Sequence, residues 1–282
     1  MSTQLRVSAV PVDVSIGDVD GNLARIRAAV AAVGRRGPHL VVLPELATSG
    51  YVFADRNEAR ACALTAGDSV LTALGADLSR DTVLVVGFCE RDGEQLYNSA
   101  LVVGADGVFG CYRKSHLWAA ERSIFESGAQ AGAVVDTPIC RLGLAICYDN
   151  EFPELPRRLA LAGADVLALP VNWPLVDRPA GEHAPEIVQA MAAARSSRLP
   201  TVIADRHGTE RGVEWTGGTC VISPDGWVCA TSAGVEDPAT ALLTLTSDKT
   251  IGPFNDLFAD RRPDLYGDIV VPRIPTRVPS FE

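Results

Sequence analysis

No two cysteines in this 282-residue chain are spaced as C-x-x-C. Cys62, Cys89, Cys111, Cys140, Cys147, Cys220 and Cys229 form an odd set in a chain large enough to fold without staples, which argues against a disulfide framework. His39, His116, His183 and His207 never fall into a short ligand pair such as H-x-x-x-H, so their spacing points to no metal site. Basic runs are missing as well. The 25 Lys and Arg stand against 35 Asp and Glu, a formal net charge of −10, which speaks against nucleic acid as a partner. The longest apolar stretches, such as Leu40 to Leu43 and Val166 to Val171, fall far below the ~20 residues that a membrane span needs. The opening MSTQLRVSAV lacks the charged and long apolar regions of a signal peptide. A cytoplasmic protein with no membrane partner is expected.

What is present is an ample core: 47% of residues are hydrophobic and 21% charged, which excludes intrinsic disorder. Short β-rich runs alternate with Ala-, Leu- and Arg-rich amphipathic stretches, and no linker interrupts them before the tail, so a single α/β domain is expected over residues 1–250. Leu5 to Val14 alternates like a strand, Gly21 to Val33 is helical in period and His39 to Leu43 is a second apolar strand, a βαβ opening. A helix over 69–80, a strand from Thr82 to Cys89, and a hairpin of Leu96 to Val103 and Val108 to Tyr112 around Ala105-Asp106-Gly107 follow. The second half repeats the pattern with strands at Cys140 to Ile146, Asp165 to Pro170, Thr201 to Asp205, Thr219 to Ser223 and Trp227 to Thr231, and helices at Glu154 to Ala162 and Pro185 to Arg198. Residues 251–282 are proline-rich without clear period, and such a tail suits an oligomer interface better than a core.

Three apolar strands end abruptly in a reactive side chain. VVLPEL places Glu45, GCYRKSHLW places Lys114 and LGLAICYDNEFPE places Cys147, and strand ends of α/β sheets are where ligands bind. Singly, each has a bland reading: a helix cap, a solvated cation, one more buried thiol. Together they meet the needs of acyl transfer, with a thiol nucleophile, a carboxylate to take its proton and a fixed cation for the oxyanion. The turn Ala145-Ile146-Cys147-Tyr148-Asp149 is expected to aim Cys147 at a helix N-terminus whose dipole favours thiolate.

These three segments, with LPELATSGY, PVNWP, GTERG, GGTCVISPDG and DRRPDLY, resemble the nitrilase superfamily of carbon–nitrogen hydrolases along essentially the whole chain. The resemblance implies an α/β fold in the form of a four-layer α-β-β-α sandwich. It implies Glu45 as general base, Cys147 as nucleophile, Lys114 with the Tyr148 backbone N–H at the oxyanion, and a second glutamate, Glu121, that positions substrate. No cofactor is implied. Tyr51, Tyr148, Asn172 and Trp173 map to substrate-binding positions. His116 and Trp118 are read as packing and positioning groups, and Arg206 to Gly212 as a buried polar turn that supports the site rather than touching substrate, with no role assigned to its residues.

Within that family, nitrilases carry Trp-Glu after the cysteine, whereas this chain has Tyr148-Asp149, which resembles the amidase branch. Asn150 and Glu151 stand where carbamoyl-amino-acid hydrolases place an arginine for a carboxylate, so an anionic substrate is disfavoured. The reading is a cofactor-free amidase acting on a small primary amide through a Cys thioester, assembled as a homodimer or higher homo-oligomer. A nitrilase, a carbamoyl-amide hydrolase or an acyltransferase using the same thioester is the alternative.

Overall fold

The computed structural model describes residues 3–33, 38–76 and 78–272, and the chain divides into a unit Met1–Ser247 and a unit Asp248–Glu282. In the first unit β1 (Thr3–Ala9), α1 (Val19–Ala32) and β2 (His39–Val42) form the opening βαβ. They are followed by α2 (Arg56–Ala61), α3 (Ser69–Ala76), β3 (Thr82–Asp92), β4 (Gln95–Gly104), β5 (Gly107–Arg113) and α4 (Glu121–Ile124). Then come β6 (Ala133–Asp136), β7 (Arg141–Leu144), a 3₁₀ turn at Cys147–Glu151, α5 (Glu154–Leu161), β8 (Val166–Pro170), α6 (Pro185–Ser197) and β9 (Thr201–Ala204). The short pair β10 (Thr209–Glu210) and β11 (Val213–Glu214) precedes β12 (Cys220–Ile222), β13 (Val228–Thr231) and β14 (Ala239–Leu245).

Two six-stranded sheets result, ordered β14-β1-β2-β3-β4-β5 and β13-β12-β9-β8-β7-β6. They pack against each other through their central strands, with helices outside, as the four-layer sandwich read from sequence requires. In each sheet the central strands run parallel, β1-β2-β3 and β7-β8-β9. Such strands are covered on both faces and read as continuous apolar runs. Val41, Leu43, Leu84 and Val86 point outward to Leu23 and Ile26 of α1 and Leu71 and Leu74 of α3. Alternation then hands the buried Leu40, Val42, Val83 and Val85 to the layer between the sheets. The helices start where side chains can satisfy free N–H groups. Asp18 accepts from the Gly21 amide at α1, Asp55 from Asn57 and Glu58 at α2, and Pro185 opens α6.

Several boundaries differ from the sequence reading. β1 stops at Ala9 because Pro11 has no N–H to give the ladder, and the apolar Val10 to Val14 continue as buried coil. The helix expected over 69–80 ends at Ala76, and residue 77 lies outside the described residues. Strands β6 and β14 were not expected. In the second unit, two 3₁₀ turns at Pro263–Leu265 and Gly267–Val270 are the regular structure, and Phe254 and Val270 are exposed. The part of the tail from 273 to 282 lies outside the described residues.

Candidate active site

Glu45 lies just past the end of β2, Lys114 directly after β5, Cys147 just past β7, and Asn172 and Trp173 just past β8. The two sheets therefore bring these groups together from opposite sides, and Asn172 joins them, its amide Nδ2 donating to the Glu45 carbonyl at 2.8 Å. Room for the Glu45 turn depends on Gly87 in β3. A Cβ there would sit 2.4 Å from the Pro44 carbonyl oxygen and 2.7 Å from the Glu45 Cα.

Glu45 and Lys114 are both fully buried. The Lys114 Nζ donates to Glu45 Oε1 at 2.7 Å and to Glu121 Oε1 at 2.9 Å, so one ammonium holds two carboxylates. Asn98, in the middle of β4, donates from its Nδ2 to the same two oxygens at 2.7 and 3.1 Å. Glu45 Oε2 is left buried with no hydrogen-bond partner. Burial pushes the Glu45 carboxyl up to about 7, against the pull of Lys114 and with a further push from Glu121. Burial would lower Lys114, but the charges of Glu121 and Glu45 overcome it and hold the ammonium well above its usual range.

Cys147 is buried and has a φ of +48°, in the left-handed region that costs a side-chain-bearing residue of order 1–3 kcal/mol. It opens a five-residue 3₁₀ turn rather than a full helix. The expected help of a helix dipole is thus corrected: burial and the nearby Glu45 charge push the thiol well above its usual range. Lys114 and the Asn172 backbone N–H pull in the opposite direction.

Glu121, at the start of α4, has its acceptors engaged by the protein. Besides Lys114 and Asn98, it takes the Trp118 N–H at 2.8 Å and the Tyr51 hydroxyl. It therefore anchors the Lys114 side chain to the Tyr51 loop. The Tyr51 hydroxyl is held well above its usual pKa by burial and the Glu121 charge.

A cavity of about 260 Å³ opens on the Cys147 thiol, walled by Trp118, Tyr148, Asn172 and Trp173, with Glu151 and Glu186 among its lining residues. Tyr51 does not line it. Tyr148, Asn172 and Trp173 do, and so does Trp118, whose sequence reading as a packing group was incomplete. Gly218 makes the seat of Trp173, since a Cβ there would meet the indole at 3.2 Å. His116 stacks on Phe152 at 3.9 Å and lies 2.7 Å from Asp149 Oδ1 through its Nδ1, away from the cavity wall.

Two groups escaped the sequence reading, and a third was read there only as a supporting turn. Asn98 bridges the two glutamates; its signal was a lone amide within an apolar strand. Asp149 was read only as a branch marker, yet it accepts from Tyr112, Ser115, His116 and the Ile146 N–H. The buried Arg206–Glu210 ion pair, at 2.8 Å, holds the Tyr51 loop, with Glu210 Oε1 accepting the Tyr51 and Val52 amides at 2.8 and 2.6 Å. Among the described residues no group of three His, Cys, Asp or Glu is placed to hold a metal ion, and no helix is long and apolar enough to cross a membrane.

The carbon–nitrogen hydrolase family model matches residues 6–248. A nitrilase of Pyrococcus abyssi is 36% identical over 267 residues, covering 93% of this chain and 99% of its own. An (R)-stereoselective amidase of a Pseudomonas species is 34% identical over 253 residues, covering 89% of each. Among solved structures, a carbon–nitrogen hydrolase from Helicobacter pylori superposes with a TM-score of 0.78 at 21% identity, covering 95% of this chain and 98% of its own.

Proposed function

We propose that this chain, which belongs to the carbon–nitrogen hydrolase family, is an amidase that converts a small primary carboxamide to carboxylate and ammonia. The observation that carries the reading is the buried, unpaired Glu45 Oε2, on a carboxyl within electrostatic reach of Cys147 whose other oxygen Lys114 holds. A carboxyl displaced to about 7 is matched to proton transfer near neutral pH. Glu45 takes the Cys147 proton as the sulfur adds to the amide carbon, and the oxyanion is met by the Lys114 ammonium and the Tyr148 backbone N–H. Collapse breaks the C–N bond, Glu45 gives its proton to the departing nitrogen, and ammonia leaves a thioester on Cys147. Water, deprotonated by Glu45, then releases the carboxylate and restores the thiol. Glu121 and Asn98 fix the positions of Glu45 and Lys114 and stand outside the bond changes.

The preference for amide over nitrile rests on Tyr148-Asp149 after the nucleophile, where nitrilases carry Trp-Glu. Ammonia release is to be measured from matched amides, nitriles and carbamoyl compounds, with mass spectrometry for an acyl adduct on Cys147. Amide turnover and an adduct that vanishes in Cys147→Ala are expected. Retention of a tenth of the wild-type rate by that variant, a loss of only ~1.4 kcal/mol, overturns the covalent route. Equal specificity constants for nitrile and amide overturn the amidase assignment.

The same reading places the protein in the cytoplasm as a homodimer or higher homo-oligomer, with the unit from Asp248 at the interface. Phe254 is 90% and Val270 84% exposed, apolar area that a second copy would cover. A mass near 30 kDa in sedimentation at micromolar concentration overturns this, as does unchanged assembly after truncation at residue 250.

A further inference from the structure

The cavity over Cys147 is small and its walls are not neutral. At about 260 Å³ it lies below the ~300–1,000 Å³ typical of drug-sized ligands, so it suits a short, narrow substrate. One end is fixed by chemistry, because the carbonyl carbon must reach the thiol. Along the wall lie Trp173, which is buried, and Trp118, 44% exposed and edge-on to Tyr148 at 4.8 Å. The remaining polar wall holds two carboxylates, Glu151 from the turn after Cys147 and Glu186 from the first turn of α6, and no lysine, arginine or histidine.

Glu186 Oε2 is buried without a hydrogen-bond partner, and neither carboxylate forms a salt bridge among the described residues. Two carboxylates without a cationic partner on one cavity wall repel each other and leave negative charge that nothing in the wall offsets. Burial and the charge of Glu186 push the Glu151 carboxyl up, which places the two acids within electrostatic reach of each other. A cation entering between them would relieve both. An ammonium supplies donors to the Glu186 and Glu151 carboxylates, and indole rings beside it attract cations through their faces.

We propose that the preferred substrate is a primary amide whose short acyl chain ends in an alkylammonium group, held by Glu186 and Glu151 while the chain lies along Trp118 and Trp173. This rests on the amidase reading above and adds the chemistry of the distal end. Glu186 is the stronger partner, because Glu151 lies at the solvent-exposed rim where salt screens it.

The test compares linear ω-amino amides of three to six acyl carbons with their methyl-terminated isosteres, reading the ratio of kcat/KM within each pair. The best ω-amino amide should exceed its isostere at least tenfold, and the ratio should fall about tenfold in Glu186→Gln and two- to threefold in Glu151→Gln. A general loss of folding or catalysis moves both members of a pair together and leaves the ratio alone. A methyl-terminated amide that is hydrolysed as well as its ω-amino partner overturns the proposal and leaves the amidase reading standing. Should no amide turn over, the amidase reading fails, and the subsite is read from alkylation instead. There n-butylammonium should slow iodoacetamide labelling of Cys147 in the wild type and not in Glu186→Gln. Equal labelling with and without the ammonium overturns it.

Discussion

Asp149 and Glu45 are both fully buried carboxylates beside the segment that carries Lys114, and the fold treats them in opposite ways. Asp149 Oδ1 accepts from the Ser115 hydroxyl at 2.9 Å, the His116 N–H at 3.1 Å and the His116 ring at 2.7 Å. Its Oδ2 accepts from the Tyr112 hydroxyl at 2.8 Å and the Ile146 N–H at 3.0 Å. Every donor comes from the Lys114 segment or from the turn before Cys147, so one carboxylate fastens these two segments to each other. Glu45 has one oxygen shared by Lys114 and Asn98 and the other bare. A saturated carboxylate is a rivet, whereas an unsaturated one within electrostatic reach of a thiol has capacity left for a proton.

Glu45→Gln is the sharpest way to break this contrast. The amide keeps an oxygen for Lys114 but cannot accept the thiol proton, and turnover should fall by about 10²–10⁴ with the fold retained. Circular dichroism and single-turnover acylation check it, and a loss under tenfold would remove Glu45 as the base. In the wild type, log kcat/KM should rise to a break near pH 7 as Glu45 ionises. Asp205, fully buried and also raised to about 7 by burial, is the rival for that break. Asp205→Asn should keep it.

Stability should move the other way. Both carboxyls bind protons more tightly folded than unfolded, so their contribution is full below about pH 4 and lost as the pH rises through about 7. The wild-type advantage over Asp205→Asn in denaturant unfolding should therefore shrink between pH 5 and 8, by at least ~1.4 kcal/mol, the equivalent of one pKa unit.

Asp149→Asn tests the rivet and should have the next largest effect on rate. An NH2 group would face donors on one side, leaving buried partners unpaired at a cost of ~1–3 kcal/mol. Because Lys114 and Cys147 then lose their common support, kcat should fall about ten- to a hundredfold with KM nearly unchanged. An equal rise in KM would place Asp149 at the substrate instead. Asp149→Glu, which keeps the charge on a longer arm, should recover stability more than rate.

The candidate residues were legible because each follows an apolar strand that ends abruptly, a pattern that needs no knowledge of distant contacts. Lys114 bonds Glu45, and both act on the Cys147 thiol through their charges. Their supports were not legible for a physical reason: each satisfies a group far away in sequence. Asn98 looks like one polar residue of a strand until Glu45 and Glu121 arrive, and the turn that carries Arg206 shows no partner in sequence until the Val14 carbonyl accepts from it at 2.7 Å. Strand β14 pairs antiparallel with β1 from the other end of the domain, and its own alternation is weak. The tight turn at Cys147 was foreseen as a helix start, but sequence shows neither the positive φ nor the depth of burial that reverses the effect on the thiol.

The smallest effect belongs to the loop at Tyr51 and Val52, which is held twice. The buried Arg206–Glu210 pair takes its amides, while the more exposed Arg211 donates to the Val52 carbonyl at 3.0 Å and pairs with Glu58 at 2.5 Å. Removing one partner of a buried pair strands a charge, so Glu210→Gln should cost ~3–5 kcal/mol of stability and slow turnover several-fold through Tyr51 and Glu121. Arg211→Ala removes a pair already shared with water and screened by salt. It should change kcat/KM by less than twofold, and any change should disappear in high salt. A larger, salt-resistant loss in Arg211→Ala than in Glu210→Gln would show that the outer pair sets the Tyr51 position and that burial is a poor guide to which contact this loop depends on.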